Sequence, residues 1–254
     1  MNLNPLVRYL CANVPGVATA CVFFKGLMAA KFPQPEYRAV AQLAVANPVI
    51  VDVGAHDGRS ISVFRALARR PTIVAFDPES ISAARLARRF RRDRSVTIHA
   101  CALGNHSGDI MFYAPTYGRW NCDSIVARDR NAAIDWLYEP GAIYRFDERK
   151  LTVREYLIPC RTLDSFRLSP TLIKLNARGA EFSILQGAAE TLGQSKPVLM
   201  CAGASAEITM FLTRLGFSPY VFGSLGFTAG VAIHPMTYTW YLTRHHLRDT
   251  FSAY

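Results

Sequence analysis

The sequence predicts an α/β protein with a doubly wound, mostly parallel sheet and helices on both faces. Short runs of β-branched and other apolar residues recur along the chain, as in strands that are buried on both faces. Stretches with apolar residues at helical spacing separate these runs, and such alternation is typical of a parallel sheet whose ligands bind at the carboxyl ends of the strands. The length of 254 residues suits one Rossmann-like domain with an accessory segment.

Composition narrows the class of protein. Half of the residues are hydrophobic and 19% are charged, as in a globular protein. The net charge is +10, and the densest basic run, RLARRFRRDR at residues 85–94, is predicted to be a solvated helix face. The run lacks the repeated aromatic residues that stack on bases, so no nucleic-acid partner is predicted. Six scattered cysteines without a C-x-x-C pair indicate thiols in a reducing, cytoplasmic compartment, and no metal site is predicted.

The chain divides into an N-terminal helical segment, residues 1–46, and a domain, residues 47–254. Apolar residues recur at helical spacing near the start, and the apolar stretch at residues 17–30 is too short to span a bilayer. A lysine within that stretch argues against a cleaved signal peptide. We expect these helices to pack on the domain or to cover a substrate mouth, with a further helix at residues 36–46.

The same N-terminal helices also allow a peripheral contact with a membrane. Their apolar faces are flanked by Arg8, Lys25 and Lys31. Apolar faces edged by cations are typical of helices that lie in a lipid surface, so a membrane contact through this segment stays open.

The domain opens with a strand, a glycine turn and a helix. Residues 48–58 read PVIVDVGAHDG, in which the apolar strand stops at Gly54 and the turn ends at Gly58. The next strand, TIVAF, ends at Asp77, about 20 residues beyond the turn, where a carboxylate would meet a ribose diol. Strand, glycine turn, helix, strand and acid together predict a nucleotide or nucleoside site.

The form of the turn favours a cofactor without phosphates. It reads D-x-G-x-x-x-G from Asp52 to Gly58, whereas the dinucleotide fingerprint requires G-x-G-x-x-G. The middle glycine, which lets a pyrophosphate approach, is replaced by His56, so a nicotinamide reductase is disfavoured. S-adenosylmethionine is the common cofactor of this kind, and Asp52, Gly54, Gly58 and Asp77 are its predicted ligands.

The rest of the domain continues the alternation, apart from one irregular insertion. We predict a third strand at residues 95–103 and a short return strand at 109–113, followed by an insertion at 114–155 on the substrate side. Its aromatic residues either stack on a sugar or pack into the core: Tyr117, Trp120, Trp136, Tyr138 and Tyr144. Beyond it we predict strands at 156–161, 171–175, 197–200, 218–222 and 237–242, and helices at 179–192 and 205–215.

Five phrases in a fixed order resemble the FkbM-type methyltransferases: VDVGAHDG, AFDPES, ALGNHSG, RTLDSF and IKLNARGAEFSILQGA. The resemblance covers residues 48–242. It implies a class I, S-adenosylmethionine-dependent O-methyltransferase with a seven-stranded sheet whose last strand is antiparallel. It also implies a hydroxyl acceptor, often on a sugar of a glycolipid, a polysaccharide or a lipochitooligosaccharide, and sometimes on a secondary metabolite.

Two departures from the family pattern affect the predicted chemistry. The family usually has acids where this chain has Asn176 and Arg178, and a glutamate where it has Cys201-Ala202-Gly203. An asparagine orients a hydroxyl by hydrogen bonding but is not a base. The predicted catalytic residues are therefore His56, Asn176 and Glu181, with His56 or Glu181 as the base.

Three alternatives stay open at these positions. Glu181 has a structural interpretation as an acid at a helix start, and Arg178 points either into the site or to solvent. Asp123 and Ser124, in the insertion, are weaker candidates for the base.

The leading functional hypothesis is an O-methyltransferase that acts on a small-molecule, glycan or glycolipid hydroxyl. The missing acids support an alternative, a catalytically impaired descendant that binds the cofactor or a glycan. A nucleic-acid methyltransferase, suggested by the charge, lacks an N-P-P-Y-like phrase and an RNA-binding module.

Overall fold

The structure is a computed structural model that describes residues 4–122, 127–233 and 237–251. Its strands, in chain order, are β1 (Val49–Val53), β2 (Thr72–Phe76), β3 (Val96–His99), β4 (Ala102–Leu103), β5 (Gly108–Tyr117), β6 (Trp120–Asn121), β7 (Leu151–Arg161), β8 (Leu172–Leu175), β9 (Val198–Ala202), β10 (Ser218–Gly223), β11 (Gly226–Ala229) and β12 (Tyr238–Leu242). Its α-helices are α1 (Pro5–Asn13), α2 (Val17–Lys31), α3 (Arg59–Leu67), α4 (Ser80–Phe90), α5 (Arg130–Ile134), α6 (Glu181–Gln186), α7 (Ala189–Ser195) and α8 (Ala206–Arg214).

The main sheet has eight strands in the order β3-β2-β1-β8-β9-β12-β10-β11. β3, β2, β1, β8 and β9 run parallel, whereas β12 is antiparallel to both of its neighbours. The predicted doubly wound α/β fold is thus confirmed, together with an antiparallel strand near the carboxyl end. The predicted seven strands become eight because β11 folds back on β10 through a two-residue hairpin between Gly223 and Gly226.

The insertion forms a second sheet with the order β4-β7-β5-β6. β5 and β7 are antiparallel from Gly108↔Cys160 to Tyr117↔Leu151, so both strands extend into the insertion predicted at 114–155. The single strand predicted at 95–103 is wrong, because the chain leaves the main sheet after β3 and β4 pairs with β7 instead. Between β6 and β7, the described residues include α5 and two short 3₁₀ segments, Asp135–Leu137 and Glu148–Lys150.

Two predicted helices take other forms. The helix at 179–192 divides into α6 and α7 at Gly187, where a side chain would strike the backbone oxygen of Gly104. The helix at 36–46 is a 3₁₀ segment, Pro35–Gln42. Tyr37 and Val40 of this segment belong to the core beneath the main sheet, so the boundary at residue 46 does not separate two cores.

The N-terminal helices pack on both sheets. α2 lies along α3, and Gly26 lets it approach the Arg89 guanidinium of α4. α1 joins a hydrophobic cluster with the second sheet, in which Tyr117 and Trp120 are buried. Tyr138 and Tyr144 remain 47% and 46% exposed, so the structure divides the aromatic residues of the insertion between core and surface.

Candidate functional site

The glycine turn after β1 is fixed against two other elements. The backbone N–H groups of Gly54 and Ala55 both donate to the carbonyl oxygen of Phe76, at 2.9 and 3.3 Å, which ties the turn to the end of β2. Gly54 has φ +73°, and a Cβ there would strike the backbone oxygen of Asn176 at the end of β8. Gly58 has φ +76°, and its Cβ would lie 2.6 Å from Leu86 of α4. Both glycines are therefore required by the packing of the chain itself.

An enclosed ion pair supports the turn from below. Asp52 is fully buried, and its Oδ1 lies 3.0 Å from Nζ of Lys174 while its Oδ2 accepts from Oγ of Ser60 at 2.5 Å. Lys174 also donates to the carbonyl oxygens of Val53 and Gly54, at 3.1 and 2.9 Å. Although burial alone would lower the pKa of Lys174, the Asp52 carboxylate raises it, so Lys174 stays charged. Asp52 thus holds the turn in place, and its direct contact with a cofactor stays a prediction.

Asp77 follows β2 and lies beside this turn. Its Oδ2 accepts from the backbone N–H of His56 at 2.6 Å, and its Oδ1 accepts from that of Glu79 at 3.0 Å. Each oxygen keeps a second lone pair for a ligand, because a carboxylate oxygen accepts two hydrogen bonds. Burial raises the pKa of Asp77 to about 6 against the opposing effect of the His56 N–H group. Asp77 therefore keeps acceptor lone pairs beside the turn, and its contact with the hydroxyls of a ribose stays a prediction.

His56 carries the atom of the turn that most needs a ligand. The backbone of His56 has φ +50°, and the Nδ1 atom of its ring lies 3.6 Å from Oδ1 of Asp57. Its Nε2 is buried, and none of the residues in the ranges 4–122, 127–233 and 237–251 forms a hydrogen bond with it. Burial would raise the pKa of Asp57, but His56 and Arg59 hold it well below its usual range, and Nε of Arg59 lies 2.9 Å from Oδ2. A charged Asp57 favours the tautomer with the proton on Nδ1, which leaves Nε2 as an acceptor.

Asn176 lies at the end of β8, on the other side of the turn. Its Nδ2 donates to Oη of Tyr238 at 3.2 Å, and the Tyr37 hydroxyl donates to the same oxygen at 3.2 Å. Burial, reinforced by Tyr238, raises the pKa of Tyr37 well above its usual value, so this hydroxyl remains protonated. The amide is thus oriented by a tyrosine pair that joins β12 to the N-terminal 3₁₀ segment.

Glu181 closes the loop between β8 and α6. Its Oε1 accepts from the backbone N–H of Ala177 at 2.6 Å, and its Oε2 accepts from that of Gly179 at 2.7 Å. The side chain is 4% exposed, so this carboxylate holds the loop, and its role as a base stays a prediction without geometric support. Arg178 is exposed, yet desolvation lowers the pKa of its guanidinium, so its direction, into the site or to solvent, stays open.

A polar cluster on the second sheet was not predicted from the sequence. Asn121 Oδ1 accepts from Oγ1 of Thr116 at 3.3 Å and from Nη2 of Arg154 at 3.0 Å, and Arg154 lies over the ring of Tyr156. Three buried atoms here have no hydrogen-bond partner among the described residues: Asn121 Nδ2, Arg154 Nε and Tyr156 Oη. Burial raises the pKa of the Tyr156 hydroxyl, while Arg154 opposes the rise and Glu79 adds to it.

Two candidates for the base, Asp123 and Ser124, lie outside the described residues. Among residues 4–122, 127–233 and 237–251, no group of three or more His, Cys, Asp and Glu side chains is placed to hold a metal ion.

A comparison with protein families decides the assignment of the chain. A model of the "Methyltransferase FkbM domain" matches residues 52–219, which is more than half of the sequence. The chain belongs to the FkbM methyltransferase family. This confirms the resemblance seen in the five phrases, since the match begins at Asp52 and extends past α8. A search of curated proteins found no match.

Solved structures with a similar course of the chain include other methyltransferases. A methyltransferase FkbM from Methylobacillus flagellatus KT is 15% identical with a TM-score of 0.47; the alignment covers 92% of this chain and 57% of that one. This FkbM chain thus spans little more than half the length of that relative. A TehB-like SAM-dependent methyltransferase from Corynebacterium glutamicum is 12% identical with a TM-score of 0.43, covering 91% of this chain and all of that one. A precorrin-6y C5,15-methyltransferase from Geobacter metallireducens is 13% identical with a TM-score of 0.42, covering 84% and 90%.

Proposed function

We propose that this FkbM family member is an S-adenosylmethionine-dependent O-methyltransferase whose acceptor is a sugar hydroxyl of a glycolipid, a polysaccharide or a lipochitooligosaccharide. The observation that carries the proposal is the placement of Asp77. Its buried carboxylate stands at the carboxyl end of β2, beside the glycine turn, with a spare lone pair on each oxygen. Membership in the family supplies the reaction class.

The residues at the turn fit the cofactor. Asp77 would accept hydrogen bonds from the two ribose hydroxyls, and the half-buried Gly54 lies in the turn beside it. His56 Nε2 lacks a partner in the part of the chain that the structure describes, as expected of an atom that a ligand satisfies. When bound, S-adenosylmethionine supplies an electrophilic methyl group on a sulfonium.

His56 is the base that the geometry supports. Nδ1 of the imidazole lies 3.6 Å from the Asp57 carboxylate, and Nε2 is left to accept the proton of an acceptor hydroxyl. Asn176, oriented by Tyr238, would hydrogen-bond the same hydroxyl from the other side of the turn. Methyl transfer requires mainly alignment of the reactants in a dry site, and general-base assistance adds about 10²–10⁴-fold.

The polar cluster on the second sheet suits the acceptor side of the site. Arg154 Nε and Asn121 Nδ2 are hydrogen-bond donors, and Tyr156 Oη donates or accepts, so the cluster complements oxygen-rich ligands such as sugars.

We place the protein in the cytoplasm. Cys101, Cys160 and Cys201 are buried free thiols, which suit a reducing compartment.

The direct test is transfer of label. The protein is incubated with S-adenosylmethionine carrying a labelled methyl group, together with glycolipid and oligosaccharide extracts, and labelled products are identified by mass spectrometry. We expect label on a sugar oxygen, reduced about 10²–10⁴-fold in His56→Ala. Failure to bind the donor contradicts the proposal entirely.

The second candidate function is a binding protein without turnover. It is favoured by the absence of the family's acid at Asn176, whose amide is committed to Tyr238. If the donor binds but no extract acquires label, and Asn176→Asp combined with Arg178→Glu adds no activity, the binding function replaces the transferase.

A further inference from the structure

We propose that the N-terminal hairpin of α1 and α2 docks the protein on an anionic lipid surface. Four large apolar residues of α2 and Phe32, which directly follows the helix, are each more than half exposed and form an apolar stripe: Phe23, Phe24, Leu27, Met28 and Phe32. The spacing of the four residues within α2 places them on one face of the helix. A continuous exposed face of this kind marks an interaction site.

The stripe belongs to a helix that is firmly packed on its other side. α2 lies along α3, and Gly26 is buried against the Arg89 guanidinium of α4. α1, which packs on α2, adds three more exposed apolar residues at intervals of four: Leu6, Leu10 and Val14. The apolar surface is therefore presented by anchored helices and does not result from fraying of the chain end.

Charge selects the occupant of this surface. Residues 4–35 contain Arg8, Lys25 and Lys31 but no Asp or Glu. Lys31 is exposed at the end of the stripe, with its Nζ 5.5 Å from the ring of Phe32. Arg88, Arg91 and Arg92 are exposed at the end of α4, the helix that Gly26 contacts. Cations beside an apolar helix face complement anionic lipid head groups, whereas charged residues are depleted in the cores of protein interfaces.

The length of α2 determines how it would meet the lipid. Its 15 residues span about 22 Å, less than the roughly 30 Å of a bilayer core. None of the helices in the described part of the chain is long and apolar enough to cross a membrane. The geometry therefore fits a hairpin that lies in the plane of the lipid surface with the stripe buried among the acyl chains.

Co-sedimentation with vesicles tests the proposal on the full chain. We compare vesicles of phosphatidylglycerol with phosphatidylcholine against vesicles of phosphatidylcholine alone. We expect binding to the anionic vesicles that weakens with added salt, and a loss of at least about tenfold in Phe23→Ser combined with Phe24→Ser. The matched control is Leu225→Ser combined with Ile233→Ser, which removes two side chains that are 91% and 102% exposed elsewhere. The control is expected to bind as the parent does.

The proposal is overturned if the parent does not bind anionic vesicles, or if the control variant loses as much vesicle binding as the phenylalanine variant does. It is also overturned if the parent binds no lipid and light scattering instead shows a dimer that the phenylalanine variant abolishes. Lys31→Glu is a second variant that leaves the stripe intact and is expected to reduce binding to anionic vesicles only; equal binding by this variant removes the electrostatic assignment. Because no donor or acceptor is present, these outcomes are distinct from failure of the proposed transferase activity.

Discussion

We expect the replacement of Asp77 by asparagine to weaken binding of S-adenosylmethionine while it changes the free energy of unfolding little. Burial raises the pKa of this carboxyl from 3.8 to about 6, so the native state takes up a proton before the unfolded state as pH falls. The charged form therefore costs the folded protein roughly 3 kcal/mol at neutral pH, and the cost disappears as pH falls from about 6 to about 4. Asparagine removes this cost.

The same change introduces a cost of similar size. Both oxygens of Asp77 accept backbone N–H groups, from His56 and Glu79, so the Nδ2 of an asparagine would face one of these donors. A buried donor left unsatisfied costs about 1–3 kcal/mol. The two effects nearly cancel, and we expect the free energy of unfolding in urea at neutral pH to change by less than about 2 kcal/mol.

Donor affinity has no such compensation. At least one hydrogen bond from a ribose hydroxyl to a charged oxygen is lost, worth about 1.5–3 kcal/mol, so we expect the Kd for S-adenosylmethionine in calorimetry to rise about ten- to a hundredfold. In the parent protein, affinity should also fall as pH drops below about 6, whereas in the variant it should not. Asp109→Asn, which removes an exposed acid, is the control. Equal affinity in the parent and in Asp77→Asn would refute the placement of the ribose.

The remaining predictions concern residues around the turn. Lys174→Met leaves the Asp52 carboxylate buried and unpaired, so the free energy of unfolding in urea should fall by about 3–5 kcal/mol. Adding Asp52→Asn should recover part of this loss, and an unchanged free energy of unfolding in Lys174→Met would mean that the pair is not enclosed. Glu181→Gln turns one hydrogen-bond acceptor of the loop into a hydrogen-bond donor, which should lower the free energy of unfolding by about 1–3 kcal/mol. The affinity for S-adenosylmethionine should stay near that of the parent, and a selective loss of turnover would instead make Glu181 the base. Gly54→Ala should destabilise the protein, because its Cβ meets the backbone oxygen of Asn176; an unchanged unfolding midpoint would contradict this packing.

Local patterns predicted the strands and the turn at the centre of the main sheet because these depend on neighbouring residues. The apolar run that stops at Gly54 and the acid after β2 lie where the sequence placed them, at the carboxyl ends of adjacent parallel strands. The sequence explains the glycine at position 54 by a sharp turn and the approach of a ligand, and the structure adds the backbone oxygen of Asn176, which is distant in sequence.

Contacts over long distances explain what the sequence could not predict. The departure of the chain from the main sheet after β3 depends on pairing with β7, more than fifty residues later. Arg154, Asn121 and Tyr156 come together only because β5, β6 and β7 form one sheet, so no local motif marks the polar cluster. The break between α6 and α7 likewise follows from the approach of Gly187 to Gly104.

The most direct measurement is a structure of the protein with bound S-adenosylhomocysteine. We predict that the two ribose hydroxyl oxygens lie within hydrogen-bonding distance of the Asp77 carboxylate, with the nucleoside against the turn that contains Gly54 and His56. A nucleoside bound elsewhere, with Asp77 still in contact only with backbone N–H groups, would contradict the account.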